Sequence, residues 1–160
     1  MESAVPVVEA QQSVEALYRS DADRLWRAVY AFAADPDIAS DAVAEAFAQV
    51  LNRGSAVRDA QAWTWRTAFR IASGALKARR VTTAGPTQPT DYSDRYADPD
   101  LLDALRRLPE GQRAAVVLFY YADLPVRQIA QRLGSNGLAV RANLSRGRRR
   151  LRELLGDDDE

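Results

Sequence analysis

Apolar residues recur at helical spacing over almost the whole chain, and no useful length of sequence alternates as a β-strand would. Leu25, Ala28 and Phe32 lie on one such stripe. Ser20 followed by Asp23 has the spacing of a capping box and predicts the start of that helix. We therefore predict an all-α fold that begins with a small helical bundle.

Two more helices are predicted in the N-terminal half. Asp35-Pro36-Asp37 interrupts the first helix, and a second runs from Ile38 to about Asn52 before Gly54. Asp59 is placed to cap a third helix, from about Ala60 to Arg80. The inward-facing residues of the second helix are predicted to be Val43, Ala46, Phe47, Val50 and Leu51.

The composition changes at Val81–Pro99, which contains three prolines and almost no aliphatic side chain. Such a segment is typical of an extended, flexible linker. It divides the chain into an N-terminal helical domain at 12–80, the linker at 81–99, a C-terminal domain at 100–156 and an acidic tail at 157–160.

The C-terminal domain has the pattern of a helix-turn-helix. Its predicted helices are Leu101–Leu108, one opened by Pro109, Val126–Leu133 and a last helix capped by Asn136. Gly134, directly after the third of these, suits the left-handed conformation that ends helices. A helix, a tight turn with glycine and a longer basic helix together predict DNA binding.

The residue inventory excludes several kinds of chemistry. The 160 residues include no cysteine and no histidine, which excludes disulfide scaffolds, zinc fingers and Cys or His nucleophiles. We predict no cofactor and no enzymatic activity. The first residues lack the regions of a signal peptide, and no run reaches the roughly 18 apolar residues of a membrane span. We expect a cytoplasmic protein without direct membrane contact.

The charges sum to zero but are segregated along the chain. Residues 61–80 carry five basic residues and no acidic one, and residues 101–156 carry eleven arginines against four acidic residues. Two basic blocks, each beside a helical apolar stripe, have the electrostatic pattern of nucleic-acid binding.

The last helix supplies the first set of candidate DNA contacts. Two outward rows at helical spacing flank its apolar stripe, and residues near its N-terminus are the ones that reach base edges. Arginine pairs with guanine and asparagine with adenine in the major groove, whereas Arg148–Arg150 suit phosphate contact. Arg127 and Arg132 are further candidates for phosphate. The predicted contacts of the last helix are Asn136, Ala139, Arg141, Ala142, Asn143, Ser145, Arg146, Arg148, Arg149 and Arg150.

The third helix supplies a second set. Five of its residues form one polar and basic stripe about 20 Å long, which suits a phosphate backbone. Trp63, Trp65 and Phe69 could stack on unpaired bases, but aromatic residues at helical spacing are more often core, and we favour the core for both tryptophans. The candidates on this helix are Trp63, Arg66, Arg70, Ser73, Lys77 and Arg80.

Taken together, the two halves resemble the extracytoplasmic-function (ECF) sigma factors of bacterial RNA polymerase. In the C-terminal half the similar residues are Leu108-Pro109-Glu110, Arg113, Val117-Leu118, Leu124, Ile129-Ala130, Leu133-Gly134, Val140-Arg141, Leu144, Arg146 and Arg148. In the N-terminal half they are Ala39, Asp41, Val43, Glu45 and Phe47. The chain departs from the common family pattern at Thr64, Thr67, Phe69, Arg70, Gly74, Ala44 and Asn143.

The resemblance implies a role in transcription initiation. Region 2 of the family, here the N-terminal domain, binds core polymerase through its β′ and β subunits and contacts the −10 promoter element, here through the third helix. Region 4, here the C-terminal domain, binds the −35 element. Members are commonly held inactive by an anti-sigma factor, which the resemblance adds as a potential partner. The implied core-binding residues are Asp41, Ala44, Glu45, Ala48 and Asn52.

Two other interpretations stay open at this point. A helix-turn-helix regulator with an unrelated N-terminal domain would bind a duplex operator without polymerase. A helical adaptor would use its arginine rows only on acidic proteins. The acidic exposed face predicted for the second helix argues against the regulator.

Overall fold

A computed structural model describes residues 4–82 and 98–156, and within these ranges all regular structure is helical. This confirms the predicted all-α fold. Residues 83–97 of the predicted linker and the acidic tail at 157–160 lie outside the described residues. The helices are α1 (Ala4–Ala33), α2 (Pro36–Arg53), α3 (Ala60–Thr82), α4 (Pro99–Arg106), α5 (Glu110–Tyr120), α6 (Val126–Leu133) and α7 (Gly137–Leu155), with a 3₁₀ turn at Gly54–Ala56.

The first helix is longer than predicted. It begins at Ala4, so Ser20 lies inside it and the expected start at this residue is wrong. The Ser20 hydroxyl donates to the carbonyl of Leu17 at 3.1 Å, within the preceding turn. The helix continues through Ser20 because the residues before it include no glycine, and Pro6, in the first turn, is tolerated there.

The second and third helices begin at side-chain caps, of which the one at Asp59 was predicted, whereas Asp35 was expected only to interrupt the first helix. Asp35 Oδ1 accepts hydrogen bonds from the backbone N–H of Asp37 at 2.8 Å and of Ile38 at 3.2 Å. Asp59 Oδ1 accepts from the N–H of Ala62 at 3.0 Å at the start of α3. Each carboxylate satisfies N–H groups that have no partner within the helix.

The N-terminal core forms where α1, α2 and α3 meet. Leu25, Phe32, Val50 and Trp65 are each no more than 1% exposed. Leu51, which we predicted to face inward, is 46% exposed, because the buried seam of α2 ends at Val50 in the preceding position.

Two of the departures from the family pattern are core positions. Thr64 and Thr67 are both buried in the face of α3 that packs against the bundle. The Thr64 hydroxyl donates to the carbonyl of Ala60 at 2.6 Å, so its polar atom is satisfied within the helix.

The C-terminal domain packs α7 tightly across α5. Val140, Leu144 and Gly147 form the buried seam of α7. A Cβ added at Gly147 would lie 2.7 Å from Cγ2 of Val116, so only glycine fits this crossing. The turn before α7 is the predicted one: Gly134 has φ +64° and ψ +38°.

The two halves pack against each other. The guanidinium of Arg113 on α5 stacks on Phe32 of α1 at 4.8 Å, and that of Arg132 on α6 stacks on Trp65 of α3 at 4.9 Å. Both arginines are buried, at 3% and 4% exposure. The docking therefore includes two cation–π contacts removed from solvent, where such contacts are strongest.

Candidate nucleic-acid interface

The last helix, α7, presents an outer face that differs from the predicted one. Asn136 Oδ1 accepts from the N–H of Ala139 at 2.9 Å, which confirms the predicted cap. Val140, Leu144 and Gly147 of α7 pack on α5, so helical spacing places the outer face of α7 on the side opposite to these residues. The two predicted arginine rows lie along the flanks of that outer face. The residues of the outermost face are Leu138, Ala142, Ser145 and Arg149.

One flank of α7 meets the end of α5. Arg148 Nε donates to the hydroxyl of Tyr120 at 2.7 Å, and its guanidinium stacks on Phe119 at 5.2 Å. The aromatic pair therefore holds the Arg148 side chain in one orientation, which reduces the side-chain entropy that a further contact would cost.

The other flank forms a basic groove of about 380 Å³ between α7 and the start of α5. Arg107, at the end of α4, lies in this groove and was missed among the predicted contacts, although its position directly before Leu108-Pro109 was a visible signal. Arg107 pairs with Asp103 at 3.3 Å. The groove is lined by Arg107, Pro109, Gln112, Arg146, Arg149, Arg150 and Glu153.

The basic stripe of α3 faces the C-terminal domain. Arg66 Nη2 donates to the carbonyl of Gln131 on α6 at 3.0 Å. Ser73 Oγ donates to Oε1 of Glu110 at 2.7 Å, and Lys77 Nζ lies 4.0 Å from Oε2 of the same carboxylate. Three of the predicted contacts on α3 are thus engaged by the other half of the chain.

A cavity of about 500 Å³ separates the facing surfaces of the two halves. Arg66, Arg70 and Ser73 line one side, while Ser135 and Asn143 line the other. Asn143, predicted to read bases, therefore faces α3 and Gly111, where a Cβ would lie 3.3 Å from its amide nitrogen. In this arrangement its side chain is directed away from the outer face of α7.

The aromatic residues of α3 divide between core and surface. Trp65 is fully buried and its Nε1 donates to Oδ2 of Asp21 at 2.9 Å, so the core interpretation is confirmed for it. Phe69 is also buried, against Phe32. Trp63 is half-buried: it packs against the edge of the core, and the guanidinium of Arg53 lies 5.2 Å from the centre of its ring.

Asp21 on α1 accepts the hydrogen bond of the buried Trp65. Burial by itself raises the pKa of its carboxyl, but hydrogen bonds from Gln61 and Trp65, together with the charge of Arg24, outweigh that effect and hold the pKa below its ordinary value. The carboxylate is thus the stable form inside the protein.

The pKa of each buried arginine of the domain contact is also lowered, but for an arginine this shift disfavours the charged form. Burial lowers the pKa of both Arg113 and Arg132, and Glu110 partly offsets it for Arg113. Nε of Arg113 and Nη1 of Arg132 have no hydrogen-bond partner among the described residues. Arg132, which we predicted to contact phosphate, is unavailable for that contact while it is stacked on Trp65.

The predicted core-binding residues share the solvent-facing side of α2. All of them are exposed, while Val43 and Phe47 between them are buried. Leu51 adds an exposed apolar side chain beside this acidic face, and Tyr18 packs edge-on against Phe47 at 5.0 Å. The exposed set is Asp41, Ala44, Glu45, Ala48 and Asn52.

Metal and membrane sites find no support in the described ranges. Across residues 4–82 and 98–156 there is no cluster of three or more acidic, His or Cys side chains suited to a metal ion. The helices in the same part of the chain lack the length and apolar character that a membrane span needs.

The comparisons with known proteins agree with the geometry. Residues 99–151 match the family model described as Sigma-70, region 4. The chain is 30% identical over 150 residues to the RNA polymerase sigma-E factor of Streptomyces coelicolor, covering 88% of this chain and 85% of that protein. It is 29% identical over 161 residues to the ECF RNA polymerase sigma factor SigE of Mycolicibacterium smegmatis, covering 91% of this chain and 63% of the relative. The chain belongs to the ECF sigma factors.

A solved structure shares the fold of this sigma factor. It is the sigma factor RpoE from Bartonella quintana in complex with the anti-sigma factor NepR, with a TM-score of 0.73 and 20% identity. The match covers 92% of this sigma factor and 99% of that chain. Both helical domains of the sigma factor, and not only region 4, therefore have a counterpart in a known structure.

Proposed function

We propose that this sigma factor binds core RNA polymerase and directs it to specific promoters. One observation carries the proposal: a single chain presents two separate basic helical faces, on α3 and α7, and an acidic exposed face on α2. An operator-binding regulator needs only the face on α7. The membership of the ECF family supports the sigma factor over that alternative.

The −35 element is assigned to α7 and the basic groove beside it. Arg141 and Ala142 lie near the N-terminus of α7, where a recognition helix reaches base edges in the major groove. Arg148, which Tyr120 orients, lies further from that end. Arg107 and Arg149 line the basic groove of the protein. These three arginines suit contacts with the phosphates on the two sides of the DNA major groove.

The −10 element is assigned to α3. Arg66, Arg70 and Lys77 supply positive charge along the stripe that faces the C-terminal domain, and Trp63 supplies a half-buried ring for stacking on an unpaired base. Capture of flipped-out bases of the non-template strand would favour local melting, because the binding energy is gained only in the melted state.

Core polymerase is assigned to the exposed face of α2, through its β′ and β subunits. Asp41 and Glu45 provide the negative charge of this face, and Leu51 provides an apolar contact at its end. Catalysis belongs to the core enzyme, and the chain itself acts as a specificity subunit. Because the Bartonella quintana relative is in complex with an anti-sigma factor, we include a protein of that class among the partners.

The experiment is run-off transcription with bacterial core polymerase and a pooled library of genomic fragments, with and without the chain. Discrete start sites that require the chain are the expected result. Reversing two charges with Arg141→Glu and Arg148→Glu should abolish these starts because it places carboxylates against the phosphates.

The matched control reverses two exposed arginines outside α7, with Arg19→Glu and Arg58→Glu, and should leave the starts in place. Absence of new starts, together with failure to comigrate with core polymerase from the same host, would exclude the sigma-factor proposal. Binding of a duplex operator without polymerase would then support the regulator.

A further inference from the structure

The outermost face of α7 begins with an apolar side chain that the packing of the protein does not use. Leu138 is 79% exposed, more than the other large exposed hydrophobic residues of the described chain, which lie between 46% and 54%. Tyr120 and Tyr18, two of those others, are held by Arg148 and Phe47. Leu138 is absent from the hydrophobic residues that pack against the core.

Its position places Leu138 where a recognition helix meets DNA. It is the second residue of α7, within the turn that Asn136 caps. It lies opposite the buried seam of Val140 and Leu144. Ala142, one turn later, continues the same face with a methyl group.

We propose that Leu138 contacts the 5-methyl group of a thymine in the −35 element and is a specificity residue of this sigma factor. The proposal rests on the proposed function and adds a base preference to it. Among the four bases, only thymine presents an apolar methyl group in the major groove. Burying that methyl group against Leu138 removes apolar surface from water on both partners.

Positive charge flanks Leu138 on both sides of the outermost face. The Arg141 guanidinium lies beside the first turn, where Nη1 would be 3.5 Å from a Cβ at Gly137. Arg146 and Arg150, which line the basic groove, lie on the other flank of the same face. An apolar residue between cationic flanks matches a groove whose walls are phosphates and whose floor carries a methyl group.

The test removes only the methyl group from the DNA. The template is a promoter found by run-off transcription. The thymines of its −35 element, on both strands, are replaced one at a time by deoxyuridine. Holoenzyme assembled from core polymerase and the full chain is expected to lose about 3- to 5-fold in open-complex formation at one of these positions, the effect of one buried methyl group.

The protein variant Leu138→Ala supplies the second half of the test. It should lower open-complex formation on the thymine template and make the thymine and deoxyuridine templates equivalent at that position. The matched control is Leu155→Ala, an exposed leucine at the far end of α7, which should keep the full deoxyuridine effect.

Two outcomes would overturn the proposal. One is a −35 element without a thymine whose methyl group matters, and the other is a deoxyuridine effect that persists in Leu138→Ala. A loss in that variant that is equal on both templates is a case of the second outcome and would assign Leu138 to a protein contact. Each of these results presupposes chain-dependent start sites, whereas failure of the proposed function itself would remove the start sites altogether.

Discussion

Ser73 on α3 donates a hydrogen bond to Glu110, the first residue of α5, with 2.7 Å between the two oxygens. Lys77, one turn later on α3, lies 4.0 Å from the other carboxylate oxygen. One carboxylate thus engages two of the side chains that we assign to the −10 element. While the two halves are packed together, Glu110 therefore engages side chains that we propose contact DNA.

Removing this carboxylate should loosen the contact between the halves. For Glu110→Ala we expect a change in the ratio of molecules whose two halves are packed together to molecules whose halves are apart. This ratio should fall about 5-fold, which corresponds to about 1 kcal/mol for a part-exposed hydrogen bond. The measurement is energy transfer between dyes on cysteines introduced by Arg58→Cys and Arg152→Cys, which is specific because the chain has no native cysteine.

The control for this prediction is Glu15→Ala, which removes an exposed carboxylate paired with Arg19 inside α1. It changes the net charge by the same amount and should leave the energy transfer unchanged. If the two variants behave alike, the contact of Glu110 with α3 contributes nothing to the compact form.

Two helical glycines should respond to alanine in opposite directions. Gly147→Ala places a Cβ 2.7 Å from Val116 and should destabilise the protein by about 1–3 kcal/mol, since α7 must move away from α5. Gly74→Ala on α3 meets nothing within 4 Å and should stabilise it by about 0.5–1 kcal/mol through helix propensity. Urea unfolding of both variants measures the difference, and a neutral Gly147→Ala would refute the tight crossing.

Arg107 should behave as a phosphate contact that extends the DNA surface beyond α7. For Arg107→Ala we expect weaker binding of holoenzyme to all promoter sequences alike. The slope of log K against log salt concentration should decrease by about 0.9, the value for one phosphate. Arg19→Ala, an exposed arginine on α1, is the matched control and should keep the slope. A sequence-dependent loss would indicate a base contact instead.

Asp21 should make the stability of the protein depend on pH in the acid range. Because the pKa of its carboxyl is lowered by folding, the stability that it contributes is complete above the unfolded-state value of about 3.9 and is lost as the pH falls through the lower folded-state value. Asp21→Asn should therefore cost about 1–3 kcal/mol near neutral pH, from weakened hydrogen bonds to Gln61 and Trp65.

The difference between this variant and the original chain should narrow as the pH falls below about 4, as followed by urea unfolding at several pH values. Asp23→Asn is the control, because that carboxylate is exposed. A difference that stays constant with pH would show that Asp21 acts through shape alone.

Several features of the site could be predicted from local sequence, and others could not. The cap at Asn136, the left-handed turn at Gly134 and the exposure of Asp41 and Glu45 depend on neighbours within a turn or two. The fate of Arg132 depends on Trp65, which lies far away in the sequence. The sequence shows that Arg132 is a basic residue in a predicted helix. Helical periodicity contains no information on which distant aromatic ring its side chain contacts.

The sequence by itself determined most of the helices and the turn of the helix-turn-helix, because capping and apolar periodicity are local properties, and its motifs carried the resemblance to the family. Only the tertiary structure decided that the α3 stripe faces α5 and α6, that Asn143 faces the cavity and that Leu138 stands on the outer face of α7. These features follow from contacts such as Ser73 to Glu110, which join residues distant in the chain and are formed only when whole helices pack.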